Sequence, residues 1–143
     1  MAKKLITNRT LFHDVQRFHK KFKVPVNKTP TQLKQKDMQF RIDFLEEELH
    51  ELVFAYKTKD LAGQFDALID LVYVALGTAD LMGLKFDKGW DLVHQANMKK
   101  VRVKSAKGSK RGHAWDVTKP EGWQAPDLTK LVQKKPAAKK KKA

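Results

Sequence analysis

The chain has 143 residues, 41% of them hydrophobic and 32% charged, with a formal net charge of +14 and no cysteine. That is enough for one domain with a real hydrophobic core, and it excludes a multidomain assembly, a disulfide framework and any thiolate metal site or nucleophile. The longest apolar run, Leu71 to Ala79, is far shorter than the roughly 18 residues that span a bilayer, and no signal-like stretch opens the chain, so no membrane association and a cytoplasmic setting are expected.

The charge is uneven. Residues 1–96 carry 15 Lys and Arg against 13 Asp and Glu, whereas residues 97–143 carry 15 against 3. Six of the latter basic residues are Lys134, Lys135 and Lys139 to Lys142, in a segment without aromatic or branched apolar side chains. Such a stretch cannot repay the entropy of ordering, so residues 129–143 are expected to form a lysine-rich disordered tail behind a single domain over residues 1–128.

Helical patterning fills the chain before residue 104, and no convincing strand is foreseen. Leu11, Val15, Phe18 and Phe22 recur at steps of four, three and four, predicting a helix from Thr10 to about Phe22. Pro25 and Pro30 then force a loop. A second helix is predicted from about Thr31 to Tyr56, with an apolar face of Phe40, Phe44, Leu45, Leu49, Leu52 and Phe54. A third, about Leu61 to Leu81, carries Phe65, Leu68, Ile69, Val72, Leu76 and Ala79, apolar over more than half its circumference, and Gly83 stops it. The fourth runs from about Asp87 to Val101, with Trp90 read as core, and the glycines and lysines of VKSAKGSKRGH read as an exposed loop extending through residues 104–128. Four helices with short links predict an all-α, four-helix bundle. A helix as apolar all round as the third needs cover on more than one side, which points to an oligomer.

Two acidic groups stand out. In FLEEELHEL, Glu47, Glu48 and Glu51 occupy neighbouring positions of one helical patch, with Glu46 apart from them; in FDALIDLVYV, Asp66 and Asp70 stand four apart on an otherwise apolar helix. A half-buried carboxylate there is costly to desolvate unless a cation or hydrogen bonds satisfy it. The short KTKD link makes the two helices antiparallel and brings the groups opposite each other. Hard oxygen ligands around one space suit Mg2+ or Mn2+ and not zinc. A salt-bridge network with Arg41, Lys57 or Lys59 is the competing explanation.

The order EExxE, then DALxD running into LVYVALGTA, then VHxxNMxK resembles the MazG-like all-α nucleoside triphosphate pyrophosphohydrolases, a superfamily that takes in phosphoribosyl-ATP pyrophosphohydrolases and dimeric dUTPases. The resemblance extends over roughly residues 12 to 128. It implies magnesium- or manganese-dependent hydrolysis of a (deoxy)nucleoside triphosphate to the monophosphate and pyrophosphate by a homodimer or homotetramer. Residue by residue, Glu48 and Glu51 match the family's spaced metal-binding glutamates, Glu47 the preceding glutamate and Asp70 the aspartate closing the second motif. Where many relatives have glutamate three positions before that aspartate, this chain has Ala67, with Asp66 one residue earlier as a further candidate metal ligand. Glu47 or Glu48 is the candidate base for the attacking water. Asn97 and Lys100 match the family's asparagine and lysine, placed to bind substrate, with the ammonium on a phosphate.

The compact form is similar to phage members that convert dGTP to dGMP, which makes dGTP or GTP the expected substrate and a host cytoplasm the setting if the chain is phage-encoded. Trp123, in the proline-bounded KPEGWQAPDL, is either a lid or a packing residue; His13, His19 and His94 are read as structural or exposed. Two other function classes compete. A basic helical nucleic-acid binder is favoured by the net charge but opposed by the acids on the central helices, so no specific nucleic acid is expected. A nucleotide-binding bundle without turnover would bind metal and nucleotide and release no pyrophosphate.

Overall fold

Thr10 starts the first helix: its Oγ1 accepts from the His13 N–H at 3.2 Å, and α1 occupies Leu11–Lys21. The computed structural model describes residues 9–133. In chain order α1 is followed by α2 (Gln35–Lys57), α3 (Leu61–Leu81), α4 (Phe86–Met98), β1 (Val101–Arg102), a short 3-10 turn, β2 (Val117–Thr118) and a single helical turn, α5 (Thr129–Val132). The all-α class holds, with four long helices among the described residues. The chain divides into two compact units, residues 9–86 and Asp87–Gln133. α1, α2 and α3 pack together in the first, and α4 belongs to the second.

Four boundaries differ from the sequence reading. α2 starts at Gln35 rather than near Thr31, because the proline-bounded loop is tied to the end of α3: Asn27 Nδ2 donates to Leu81 O at 2.8 Å and Thr31 N to Met82 O at 2.9 Å. α4 ends at Met98, and Val101 instead pairs with Thr118 in a minimal antiparallel ladder that was not foreseen. Thr129–Val132 is helical where a tail was expected, and Leu131 reaches Gly89 within the second unit. Residues 134–143, with the lysine run, lie outside the described residues.

The helix ends are well built. α1, α2 and α3 each close with a Schellman pair; in α2, Asp60 N donates to Ala55 O at 2.8 Å and Lys59 N to Tyr56 O at 3.1 Å. The left-handed residue is Lys23 in the first, Lys59 in the second and Gly83 in the third. At Gly83 a side chain would meet the backbone oxygens of Thr29 and Asn27, so glycine is required there. Asp60 then caps α3 through Oδ1 to the Gly63 N–H at 2.9 Å, making the α2–α3 turn a tight antiparallel corner.

The side chains buried between the helices are not the ones periodicity singled out. α1 buries Phe12, Val15 and His19, one position round from the expected stripe, and Leu11 and Phe22 are exposed. α2 buries Arg41, Glu48 and Ala55 at seven-residue steps. α3 buries Ala67, Val74, Leu76, Gly77, Ala79 and Asp80, while Phe65, Leu68, Ile69 and Val72 stay exposed. Small residues allow close approach on the inner faces, and the large apolar ones point away. α3 is also long and apolar enough, by length and composition, to cross a membrane; only 22% of that stretch is buried.

Candidate active site

Packing α2 against α3 separates the glutamates of EEELHE. Glu48 faces α3 and is 7% exposed, whereas Glu47 and Glu51 open onto an outer groove of about 790 Å3 whose walls also include Asp43, Glu46, His50, Asp60 and Asp66. Glu46 therefore joins the acids it was separated from in the sequence reading, since positions 43, 46, 47, 50 and 51 form one stripe at helical spacing. Glu48 flanks that stripe, three residues before Glu51, and is buried. Asp70 is half-buried on α3 and Asp66 is exposed.

Among the described residues Glu48 has no compensating cation. Its Oε2 is buried without a hydrogen-bond partner, and among the described residues no lysine or arginine pairs with Glu47, Glu48, Glu51, Asp66 or Asp70. Burial pushes the Glu48 carboxyl above the ordinary carboxylate range, with repulsion from Glu51, Asp70, Glu47 and Asp66 adding to it. The network proposed for Arg41, Lys57 or Lys59 does not form. Arg41 turns to α3, donating through Nε to Thr78 Oγ1 at 3.0 Å and through Nη2 to Val74 O at 2.9 Å; Gly77 leaves room for it. No group of three carboxylate or histidine side chains among the described residues converges into a ready-made metal cage.

Two turns along α2 from Glu48, Arg41 lines a second cavity of the first unit, about 560 Å3, with Phe18, His19, Phe40, Asp37 and the loop residues Asn27, Thr31 and Gln32. His19 is held by Asp80, Nδ1 to Oδ2 at 2.6 Å, and Gln16 donates to the other Asp80 oxygen at 3.3 Å. Periodicity gave no sign of this cavity; the signal available was a buried-face arginine seven residues before a glutamate.

In the second unit, Asn97 is exposed on α4, and Lys100 follows the helix end in a turn whose N–H donates to Asn97 O at 3.0 Å. Trp123 is half-buried, its Nε1 donating to Ala96 O at 2.8 Å, so it packs on α4. Trp90, expected in the core, is 60% exposed, and His94 is exposed as well.

A family profile described as phosphoribosyl-ATP pyrophosphohydrolase matches residues 15–97, more than half of the chain. The chain belongs to that family. It thereby falls in the MazG-like all-α pyrophosphohydrolase superfamily, whose members hydrolyse an acid anhydride of a nucleotide. No curated protein sequence matches the chain. The matched span contains α2 and α3 whole and ends at Asn97, so it covers every acid of the cluster and stops before Lys100 and Trp123.

Proposed function

We propose that this protein hydrolyses a (deoxy)nucleoside triphosphate to the monophosphate and intact pyrophosphate with Mg2+ or Mn2+. The observation that carries this reading is Glu48: a buried carboxylate with an unbonded oxygen, four further acids close enough to raise its pKa, and no ion pair with a cation among the described residues. Clustering like charges costs free energy that a divalent ion would recover. Glu48, Glu51, Asp66 and Asp70 are the residues that would hold the ion, and their hard oxygen donors fit it. Glu47, Glu51 and Asp66 are exposed, which leaves their side chains free to change rotamer. When bound, the divalent ion neutralises phosphate charge and lowers the pKa of water.

Glu47, open to the groove, takes the proton of the attacking water, while buried Glu48 stays committed to the metal side. No nucleophilic side chain is needed. The cavity beside Arg41 supports a nucleobase site: Phe18 and Phe40 supply flat apolar surface, and the Asp37 carboxylate is an acceptor suited to the ring N–H and amino group of guanine. This favours dGTP or GTP. The family resemblance gives Asn97 and Lys100, in the second unit, the role of binding substrate oxygens. The apolar outer faces of α2 and α3, with Phe54 at 70% and Phe65 at 66% exposure, support a homodimer or homotetramer in which a second copy covers them.

The test is ion-exchange chromatography of the products from all eight standard nucleoside and deoxynucleoside triphosphates, with magnesium, with manganese and with a chelator. Monophosphate and pyrophosphate in equal amounts, only with metal and fastest from dGTP or GTP, is the expected outcome. Release of inorganic phosphate instead, or turnover in chelator, would overturn the reading.

A further inference from the structure

The acids that oppose a nucleic-acid binder, Glu47, Glu48, Glu51, Asp66 and Asp70, all belong to the first unit. The second unit has the opposite balance around its ladder: residues 99–119 carry eight Lys and Arg against one acid, Asp116. Asp116 is engaged within its own loop, paired with Arg111 and bonded by the Ser109 hydroxyl at 2.6 Å. We propose that the open face of the β1–β2 ladder, with Trp115 at its end and Arg102 and Lys104 beside it, binds a single-stranded nucleic acid without regard to sequence.

Strand alternation sets that face. Arg102 pairs with Val117, and Val103 N donates to Asp116 O at 3.0 Å, so the ladder continues one position past β1. Successive side chains point to opposite sides, which puts Val103 and Asp116 on one side and Arg102 and Val117 on the other, with Lys104 and Trp115 next along it. The first side is closed: Val103 and Asp116 are buried, and the loop folds over them, Gly108 reaching Val103 while Ser109 and Arg111 hold Asp116. The other side is open. Trp115 is 69% exposed and Val117 45%, and Arg102 and Lys104 are exposed with them. The indole is nonetheless set in place, because Asp116 N donates to His113 O at 3.2 Å, closing the turn, and the His113 ring lies against it with centroids 4.5 Å apart. A large ring held in water beside cations is a stacking platform: every base offers a flat π-face, and the cations take the phosphates next to it. The bases of a duplex are already stacked on one another, and two residues of strand span about 7 Å, short of the roughly 12 Å width of a major groove. The surface needs neither Lys100 nor any residue of the first unit.

This inference stands apart from the hydrolytic reading and is tested without turnover, so the two fail independently. Fluorescein-labelled oligothymidylate and oligouridylate of about 20 nucleotides are titrated with the full chain in chelator and followed by anisotropy, beside an abasic strand and a duplex of the same length. At least one base-bearing strand should bind about fivefold or more tightly than the abasic strand and the duplex, the worth of one stacked base, and the tighter of the two names the partner as DNA or RNA. The charges of residues 134–143 act on base-bearing and abasic strands alike and cancel from this difference. Trp115→Ala should remove the difference, and Trp115→Phe, which keeps a ring, should restore most of it. Arg102→Ala with Lys104→Ala should flatten the slope of log affinity against log salt by about 1.4, about 0.7 for each lost phosphate contact. Lys57→Ala, in the first unit, should change neither. Circular dichroism checks that each variant is folded. Equal affinity for base-bearing and abasic strands, no effect of Trp115→Ala, an equal loss in Lys57→Ala, or displacement of the strand by dGTP or by phosphatidylserine vesicles would each overturn the proposal.

Discussion

Glu48 in the first unit and Asp116 in the second are carboxylates of nearly equal burial, 7% and 8% exposed, with opposite surroundings. Asp116 accepts from Ser109, Arg111 and its neighbour's N–H, and its pKa falls to about 2. Glu48 faces four other acids, has an unbonded oxygen, and its pKa rises. Burial is therefore not what marks a site. A buried charge whose partners are built into the chain is part of the scaffold, and one left without them waits for something the chain does not supply.

The largest effect should come from removing the acids around Glu48. Glu51→Gln and Asp70→Asn are each expected to lower turnover at least about 100-fold, as for groups that hold a metal, with the thermal midpoint of the metal-free protein unchanged or raised. Near-normal rates in both would break the comparison. Asp116→Ala, by contrast, should spare the first unit and release the loop it ties: hydrogen exchange should speed up across residues 103–117 and stay unchanged in α2 and α3.

The pH dependences should run in opposite directions. Asp116 has a depressed pKa, so its contribution is complete above its ordinary value of 3.8 and disappears as pH falls toward about 2. Glu48 has a raised pKa, so it carries no penalty below the ordinary carboxylate range and destabilises the metal-free protein as pH climbs and it ionises. Glu48→Gln should remove that slope and stabilise the chelated protein at neutral pH, read as a raised thermal midpoint. Denaturation curves from pH 4 to 8 measure it.

Smaller effects test the frame that holds the acids. Lys59 sits in the left-handed region at the corner joining α2 to α3, where a side chain costs about 1–2 kcal/mol. Lys59→Gly should recover up to about 1 kcal/mol in urea unfolding, less than the full strain because glycine also loosens the unfolded chain. Truncation after Val132 should leave turnover unchanged, and a large fall would give the lysine-rich end a role in the reaction.

The helices were legible because their signals are local. Thr10, the proline pair, the KTKD break and Gly83 mark ends that the structure reproduces within a few residues, and α3 matches at both ends. The inner faces were not legible. Hydrophobic period alone chose Phe65, Leu68 and Ile69 for the core, yet the α2–α3 contact is built from Ala55, Gly63, Ala67 and Gly77, whose small size matters more than their hydropathy. For the same reason the spacing of Glu47, Glu48 and Glu51 revealed an acidic patch but not that Glu48 turns inward and the others outward.

The most direct test of the central claim is the binding of Mn2+ to the metal-free full chain and to its Glu48→Gln variant, read from the loss of the free-ion electron paramagnetic resonance signal. Saturable binding by the wild type, weakened at least about tenfold in the folded variant, is what an unpartnered buried carboxylate at a metal site predicts. Equal affinity in the two proteins, or no binding by either, would contradict it.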